Sequence, residues 1–288
     1  MTRTLARALA IAVVAIALIF ALRGLSGHEL LGALAKARLS YVVAGSLALL
    51  GVGSILRAAR YGALLPAVGA RPRPSELWAI VIVSAAANNV LPFRAGEVLR
   101  TKDTMATGVR LPRVVVAQVV EKAIEAATLV TWVAPVLVAH FGFCGPAPVT
   151  AGLFCLGAVG AGWAAPRFGV RARQLVRSFA WSLASDVTEI AIISVCLGGL
   201  GLPAGLAPSA AVYAGVNLAI AVPSTPGSVG AFEAGAALPL IALGIEHDAA
   251  IAFALIYRAV QWLPVTLAGG LVWTRRMVAS QPGRARAS

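Results

Sequence analysis

Six runs of about twenty mostly apolar residues dominate this chain. They cover residues 5–22, 39–56, 114–138, 149–166, 179–200 and 249–273. Because the hydrocarbon core of a bilayer is about 30 Å thick, each run predicts one membrane-spanning α-helix. The chain is 59% hydrophobic and 12% charged, which is too little polar surface for a water-soluble domain. The sequence therefore predicts an all-α polytopic membrane protein with six spanning helices.

Two further apolar segments, residues 76–106 and 209–244, are interrupted by helix-breaking residues. The first contains NNVLPFRAGEVLR, from Asn88 to Arg100, and the second contains PSTPGSVGAFEAG, from Pro223 to Gly235. Proline stops a helix and glycine allows a tight reversal of the chain. The residues expected to form the breaks are Pro92, Gly96, Pro223, Pro226, Gly227 and Gly230. Each segment is too long for a loop and too interrupted for one helix, so we predict two re-entrant helical hairpins.

The distribution of Lys and Arg supports this arrangement. If both hairpins return to the side from which they enter, most of the 24 basic residues lie on one side of the membrane. This set includes Arg57 and Arg60, which are interpreted as loop residues. An excess of basic loop residues marks the cytoplasmic side, so both termini are expected there. The net charge of +13 is accordingly interpreted as a topology signal and a contact with lipid head groups, and no nucleic-acid partner is expected.

The order of elements repeats along the chain. Residues 1–138 read as span, span, hairpin and span, and residues 149–273 repeat that order. Three crossings per half would insert the second half upside down, and residues 274–288 would form a basic cytoplasmic tail. Inverted repeats with interrupted helices are typical of transporters, in which the breaks meet near the midplane and form the substrate site.

Irregular backbone at membrane depth is tolerated only where protein or a water-filled cavity satisfies its polar groups. In the first break, the asparagine side chains are expected to bond the freed backbone groups. Two arginines beside a helix N-terminus suit a phosphate group. The second break contains no arginine, so a cation is expected from the last span. The predicted head-group site comprises Asn88, Asn89, Arg94, Glu97, Arg100, Glu233 and Arg258.

Four other acids lie inside the predicted spans. Glu121 and Glu125 share one helix face, and Asp186 and Glu189 continue a stripe of serines on another helix. A central charge facing lipid costs roughly 2.5–3.5 kcal/mol, so these acids should face inward, pair or carry a proton. We expect them to tune the cavity or to take a proton. Two simpler interpretations stay open: structural neutralisation of cations such as Lys122, and, for Asp186 and Glu189, snorkelling near the cytoplasmic end of the span.

Catalytic and metal-binding signatures are missing from the sequence. It contains no G-x-S-x-G, Walker loop, D-x-D or H-E-x-x-H, so no enzyme activity, metal or cofactor is expected. Two alternative functions remain open at this point. One is an intramembrane enzyme or accessory subunit in polyprenyl-linked glycolipid synthesis, and the other is a proton-coupled carrier of small solutes.

The two break motifs, followed by YRAVQWLPVTLAGG from Tyr257 to Gly270, resemble the membrane module of lysylphosphatidylglycerol synthases and its stand-alone, flippase-like relatives. The resemblance covers essentially the whole chain. It implies a protein of the bacterial inner membrane, or of an archaeal membrane, that moves an amphiphilic lipid between leaflets. The aminoacyl-lipid branch joins this module to a cytoplasmic synthase domain, which these residues do not contain, and other relatives are associated with hopanoid and polyprenyl lipids. The resemblance therefore implies that membrane lipids are partners and that the cargo is a phosphate-bearing lipid. Enzymes of lipid biosynthesis are candidate protein partners.

Overall fold

A computed structural model describes residues 38–91, 95–141, 165–221, 228 and 230–279. Within these residues the regular secondary structure is entirely helical. The α-helices are α1 (Leu39–Val68), α2 (Pro74–Val90), α3 (Ala95–Met105), α4 (Leu111–Phe141), α5 (Ala172–Gly199), α6 (Leu206–Ala221), α7 (Ala231–Ala242) and α8 (His247–Ala279), with a short 3₁₀ helix at Ala165–Phe168. The predicted span 5–22 and nearly all of the span 149–166 lie outside the described residues.

Three of the described helices are long and apolar enough to cross a membrane. They are α1, α5 and α8, and they correspond to the predicted spans 39–56, 179–200 and 249–273. The predicted span 114–138 lies inside α4, which has 31 residues. The chain is therefore an all-helical membrane protein.

The first of these helices extends well past its predicted end. The span was expected to stop before Arg57, but α1 continues for 30 residues to Val68 and is about 45 Å long. The interpretation of Arg57 and Arg60 as loop residues was wrong, because both lie on α1 and Arg60 is 5% exposed. A rule that ends a span at its first charge fails here because acids on neighbouring helices neutralise both arginines.

Each interrupted segment forms two short helices. α2 ends at Val90 and α3 begins at Ala95, while α6 ends at Ala221 and α7 begins at Ala231. Gly230 has a φ of 86° directly before α7, a left-handed conformation that favours glycine. The break residues Pro92, Pro223, Pro226 and Gly227 lie outside the described residues.

Glycines also set the distance between the two helices of each segment. Gly96 was expected to reverse the chain, but it lies inside α3, where an added Cβ would collide with the carbonyl oxygen of Ser84 on α2. In the second segment, a Cβ on Gly215 of α6 would collide with the carbonyl of Gly235 on α7. In both segments a missing side chain allows the two backbones to approach closely.

The packing order is similar in the two halves of the chain. In the first half α2 packs on α3 and α3 on α4; in the second, α6 packs on α7 and α7 on α8. The halves interlock, since α2 packs on α8, α6 packs on α4, and α1 packs along α5. One apolar core is centred on α5 to α8, around residues such as Leu197 and Phe253, and a second includes Tyr61 and Leu64 of α1 and Val114 of α4.

Candidate buried charge site

Six charged side chains from α1, α3 and α4 form a closed ring of alternating charge, which we call the charge ring. In order around the ring they are Arg60, Glu121, Arg100, Glu97, Lys122 and Glu125. Arg60 contacts the two α4 carboxylates, with Nε 3.2 Å from Glu121 Oε1 and NH2 2.6 Å from Glu125 Oε1. Three cations and three anions leave the ring with no net charge, which lowers the cost of placing it among apolar helices.

The other half of the charge ring is centred on Arg100. Its NH2 group bonds the second oxygen of Glu121, and its Nε lies 3.3 Å from Glu97 Oε2. Lys122 closes the ring, with Nζ 3.6 Å from Glu97 Oε1 and 2.7 Å from Glu125 Oε2. α3 is therefore joined to α4 by ion pairs that the sequence spacing alone did not specify.

The charge ring has a buried side and an accessible side. The side chains of Arg60, Arg100 and Glu121 are 6%, 5% and 1% exposed. Those of Glu97 and Lys122 are 27% and 41% exposed. A ligand that approaches from the open side would meet these two residues before it met a buried arginine.

Neutral side chains hold the buried arginines in place. The Arg100 guanidinium lies 4.4 Å from the centre of the Tyr61 ring, and the Tyr61 hydroxyl is hydrogen-bonded to Thr104 at 3.0 Å. Arg60 donates to Ser182 Oγ on α5 at 3.5 Å. Cation–π contact and hydrogen bonding both favour a fixed position for a guanidinium.

A simpler ion pair follows the second break. Arg258 NH1 lies 2.6 Å from Glu233 Oε1, and the other oxygen of Glu233 accepts the backbone N–H of Gly230 at 2.7 Å. The Arg258 side chain is 6% exposed and that of Glu233 is 19% exposed. Arg258 thus supplies a cation to the second break, in the place where the sequence led us to expect one.

The two breaks share one local arrangement. Glu97 is the third residue of α3, Glu233 is the third residue of α7, and each pairs with a buried arginine. An acid in the first turn of a helix is stabilised by the helix dipole, and a neighbouring arginine neutralises it. The two acids hold the same position in their helices, but Arg100 lies on α3 itself, whereas Arg258 comes from α8, the helix that follows α7.

Glu189 joins three long helices. Its carboxylate accepts hydrogen bonds from Arg57 at 2.6 Å, from the Tyr257 hydroxyl at 2.8 Å and from Gln261. It was placed near the cytoplasmic end of its span, as was Asp186, but α5 begins at Ala172 and both acids lie near its middle. Snorkelling is therefore excluded for these two residues in favour of internal contacts. Asp186 is 5% exposed.

The asparagines of the first break make different contacts from those expected. Asn89 was expected to bond the freed backbone of the break, but its Nδ2 donates to Thr266 Oγ1 on α8 at 3.0 Å. Trp262 Nε1 donates back to the Asn89 carbonyl at 3.3 Å, so the pair joins α2 to α8. Asn88 lies against Gly96, and Arg94 lies outside the described residues.

Sequence reasoning missed Arg57, Arg60 and Tyr257 as members of these clusters. One signal was present: the two arginines are three residues apart on one helix face within an apolar run, as Glu121 and Glu125 are four apart. Matching cationic and anionic faces on two apolar helices is a pattern that predicts their contact.

These observations define a class: an all-helical membrane protein with interrupted helices and buried, internally neutralised charges. The family model of the lysylphosphatidylglycerol synthase transmembrane region matches residues 7–166 and 163–269. The chain therefore belongs to that family, a membrane family related to lipid modification and transport. A comparison with curated proteins gives no match.

Proposed function

We propose that this protein is a membrane lipid translocase that moves a phosphate-bearing amphiphilic lipid between leaflets. The observation that carries the proposal is the repeated arrangement of a broken segment, an acid in the next first turn and a buried arginine. Guanidinium groups bind phosphate with two parallel hydrogen bonds, and at membrane depth such groups mark substrate pathways.

The proposal includes the complete topology. Six spanning helices and two re-entrant hairpins form an inverted repeat, with residues 1–138 and 149–273 as its halves and residues 274–288 as a cytoplasmic tail. The matching helix order and the interlocked packing of the described parts support it. The site would then open to one leaflet at a time, in the cytoplasmic membrane, with both termini on the cytoplasmic side.

The exchange of anions on the arginines gives a mechanism. A lipid phosphate replaces the carboxylate of Glu97 on Arg100, while Glu97 keeps its contact with Lys122. The bound phosphate adds one negative charge to the neutral ring, which Arg94 beside the first break would offset. A second phosphate position forms in the same way when Glu233 releases Arg258. Arg100 is 5% exposed, so the head group reaches it only when α3 moves away from α4.

The other predicted residues support this exchange. Arg94 would add a third cation beside the first break. Glu121 and Glu125 hold the buried side of the charge ring, and Asn89 holds α2 against α8. The lipid leaves chemically unchanged, so the proposal assigns no enzyme activity. Enzymes of lipid biosynthesis would supply the cargo.

The test is leaflet exchange of head-group-labelled lipids in vesicles that contain the purified protein. Phosphatidylglycerol, an aminoacyl lipid and a polyprenyl phosphate are compared for the wild type and for Arg258→Ala, Arg258→Lys and Arg173→Ala. We expect accelerated exchange of at least one phosphate lipid, its loss in Arg258→Ala, and its reduction in Arg258→Lys because a point charge does not replace a planar guanidinium. Arg173 is exposed and serves as the control.

Three results would contradict the proposal. Normal exchange in Arg258→Ala would remove the arginine from the head-group site. A change in the mass of the recovered lipid would favour an enzyme, and uptake of a small solute regardless of lipid identity would favour a solute carrier. Each variant is first checked by size-exclusion chromatography, so that a misfolded protein is not counted as an inactive one.

A further inference from the structure

One buried acid takes no part in the ion pairs described above. Of the six acids that the sequence predicts at membrane depth, five are in salt bridges: Glu97, Glu121, Glu125, Glu189 and Glu233. Their partners are the five cations Arg57, Arg60, Arg100, Lys122 and Arg258. Asp186 is the sixth acid, and no salt bridge involves it in the described part of the chain.

The environment of Asp186 is closed and mostly neutral. The residue is 5% exposed, and its Oδ2 atom is buried with no hydrogen-bond partner among the described residues. The hydroxyls of Thr128 on α4 and Tyr213 on α6 approach its carboxyl group. A buried carboxylate that lacks a cation is very costly, whereas a neutral carboxylic acid is tolerated in such a place.

The charged groups that face Asp186 come from three helices. Arg60 approaches from α1, Glu125 from α4, and Glu189 lies one turn further along α5. Arg60 is already matched by two carboxylates of the charge ring, and the other two groups are acids. A negative charge on Asp186 would therefore be left without a balancing cation, so the surroundings favour the protonated form.

We propose that Asp186 is a proton-binding site at the junction of α4, α5 and α6, and that the described conformation holds the proton. The bound species is the neutral carboxylic acid form of Asp186. The proton comes from water and returns to water, and no covalent bond other than this O–H forms or breaks.

A row of hydroxyl groups leads from this site towards the accessible side of the charge ring. The Thr128 hydroxyl lies 3.0 Å from Ser182 Oγ, and Ser182 is hydrogen-bonded to Arg60. Arg60 contacts Glu125, whose side chain is 34% exposed. Loss of the proton would place a new carboxylate within reach of Arg60 and would weaken the pairs that hold α1 to α4.

Ionised Asp186 and the carboxylates of the charge ring would compete for Arg60. This competition couples loss of the proton to the movement of the helices. The coupling rests on the proposed lipid exchange, because opening of the charge ring is the step that exposes Arg100 to a head group. A protein that cannot lose the proton keeps the ring closed, so its lipid exchange stays low at every pH. The proton site itself stands without any transport activity.

The first experiment observes the proton directly. Infrared difference spectroscopy of the reconstituted protein records the C=O stretch of protonated carboxylic acids during a pH titration in wild type, Asp186→Asn and Glu189→Gln. We expect the band to appear in wild type and in Glu189→Gln when the pH is lowered into the mildly acidic range, where exposed carboxyl groups stay ionised, and to be missing from Asp186→Asn. The absence of such a band from the wild type, or its persistence in Asp186→Asn, would overturn the proposal. The absence of the band from the wild type refutes the proposal even if Asp186→Asn does not fold.

The second experiment tests the coupling in the vesicle assay. Lipid exchange by the wild type should rise with pH, because loss of the proton opens the ring. The rise should be up to about tenfold per pH unit, the limit for one proton, and Asp186→Asn should remove it. Equal pH dependence in both proteins would overturn the coupling. If the infrared band is present but wild type exchanges no lipid, the proton site stands and the proposed function fails. A response to a sodium gradient at constant pH would identify a metal cation as the ligand and overturn the proton assignment.

Discussion

Arg60→Met is the perturbation that most directly tests the charge ring. Arg60 neutralises Glu125 and shares Glu121 with Arg100, and it is almost fully buried. Methionine fills a similar volume without a charge. The substitution leaves Glu125 with Lys122 alone and leaves the buried ring with an excess negative charge.

The expected loss of stability follows from the carboxylate charges that the substitution leaves without a partner. Removal of one partner from a buried ion pair typically costs about 3–5 kcal/mol, because the remaining charge is buried without compensation. In a membrane protein the unfolded chain also finds polar partners, which reduces such effects. We therefore expect a loss of about 3 kcal/mol in the free energy of unfolding, about a hundredfold in the folding equilibrium constant.

The chain provides a matched control one turn earlier on the same helix. Arg57 is also paired with a glutamate, but its side chain is 30% exposed and it contacts one carboxylate. Arg57→Met should cost about 1 kcal/mol or less, as for partly exposed ion pairs. The assay is reversible unfolding in mixed micelles with increasing denaturing detergent, followed by circular dichroism and Trp fluorescence.

The double variant Arg60→Met/Glu125→Gln completes the test. Neutralising Glu125 removes the charge that the first substitution leaves uncompensated, so the double variant should recover part of the lost stability. Equal destabilisation by Arg57→Met and Arg60→Met, together with no recovery in the double variant, would refute the closed ring. The two arginines would then contribute by packing alone.

Three further substitutions test the helix contacts, each in the same unfolding assay. Gly96→Ala should lower the free energy of unfolding by about 1–3 kcal/mol, because the added methyl group overpacks α3 on α2. The control Gly270→Ala has open space around it and should cost nothing. Equal effects of the two substitutions would contradict the close approach of α3 to α2. Asn89→Ala should lower the free energy of unfolding by about 1 kcal/mol, because its hydrogen bond to Thr266 is lost. The double variant Asn89→Ala/Thr266→Val should lose no more than this. Additive losses would show that Asn89 and Thr266 do not act as a pair. Tyr257→Phe should cost about 1 kcal/mol by removing the hydroxyl that bonds Glu189, and a fully stable variant would exclude that bond.

Sequence reasoning located several elements well. The interruption near Pro92 was predicted from one motif, and the structure ends α2 at Val90 and begins α3 at Ala95. The cationic role of Arg258 beside the second break was inferred from the lack of an arginine in that motif, and its contact with Glu233 is seen. These predictions succeed because a helix break and a local deficit of charge are properties of neighbouring residues.

The partners of individual side chains were harder to predict from the sequence. Arg60 was assigned to a loop because a charge after an apolar run usually marks the end of a span. Its true environment depends on Glu121, 61 residues further along the chain. Asn89 was assigned to its own break, whereas its partner Thr266 is 177 residues away.

The sequence by itself determined that this chain enters a membrane, where its helices break and which family it belongs to. Hydropathy and helix-breaking residues act over a few adjacent turns, so they can be read from the order of residues alone. Only the tertiary structure decided which charges neutralise each other and which acid is left over. That outcome depends on how each helix is rotated and how closely it packs, and a rotation of one helix by half a turn would exchange its paired face for its lipid-facing one.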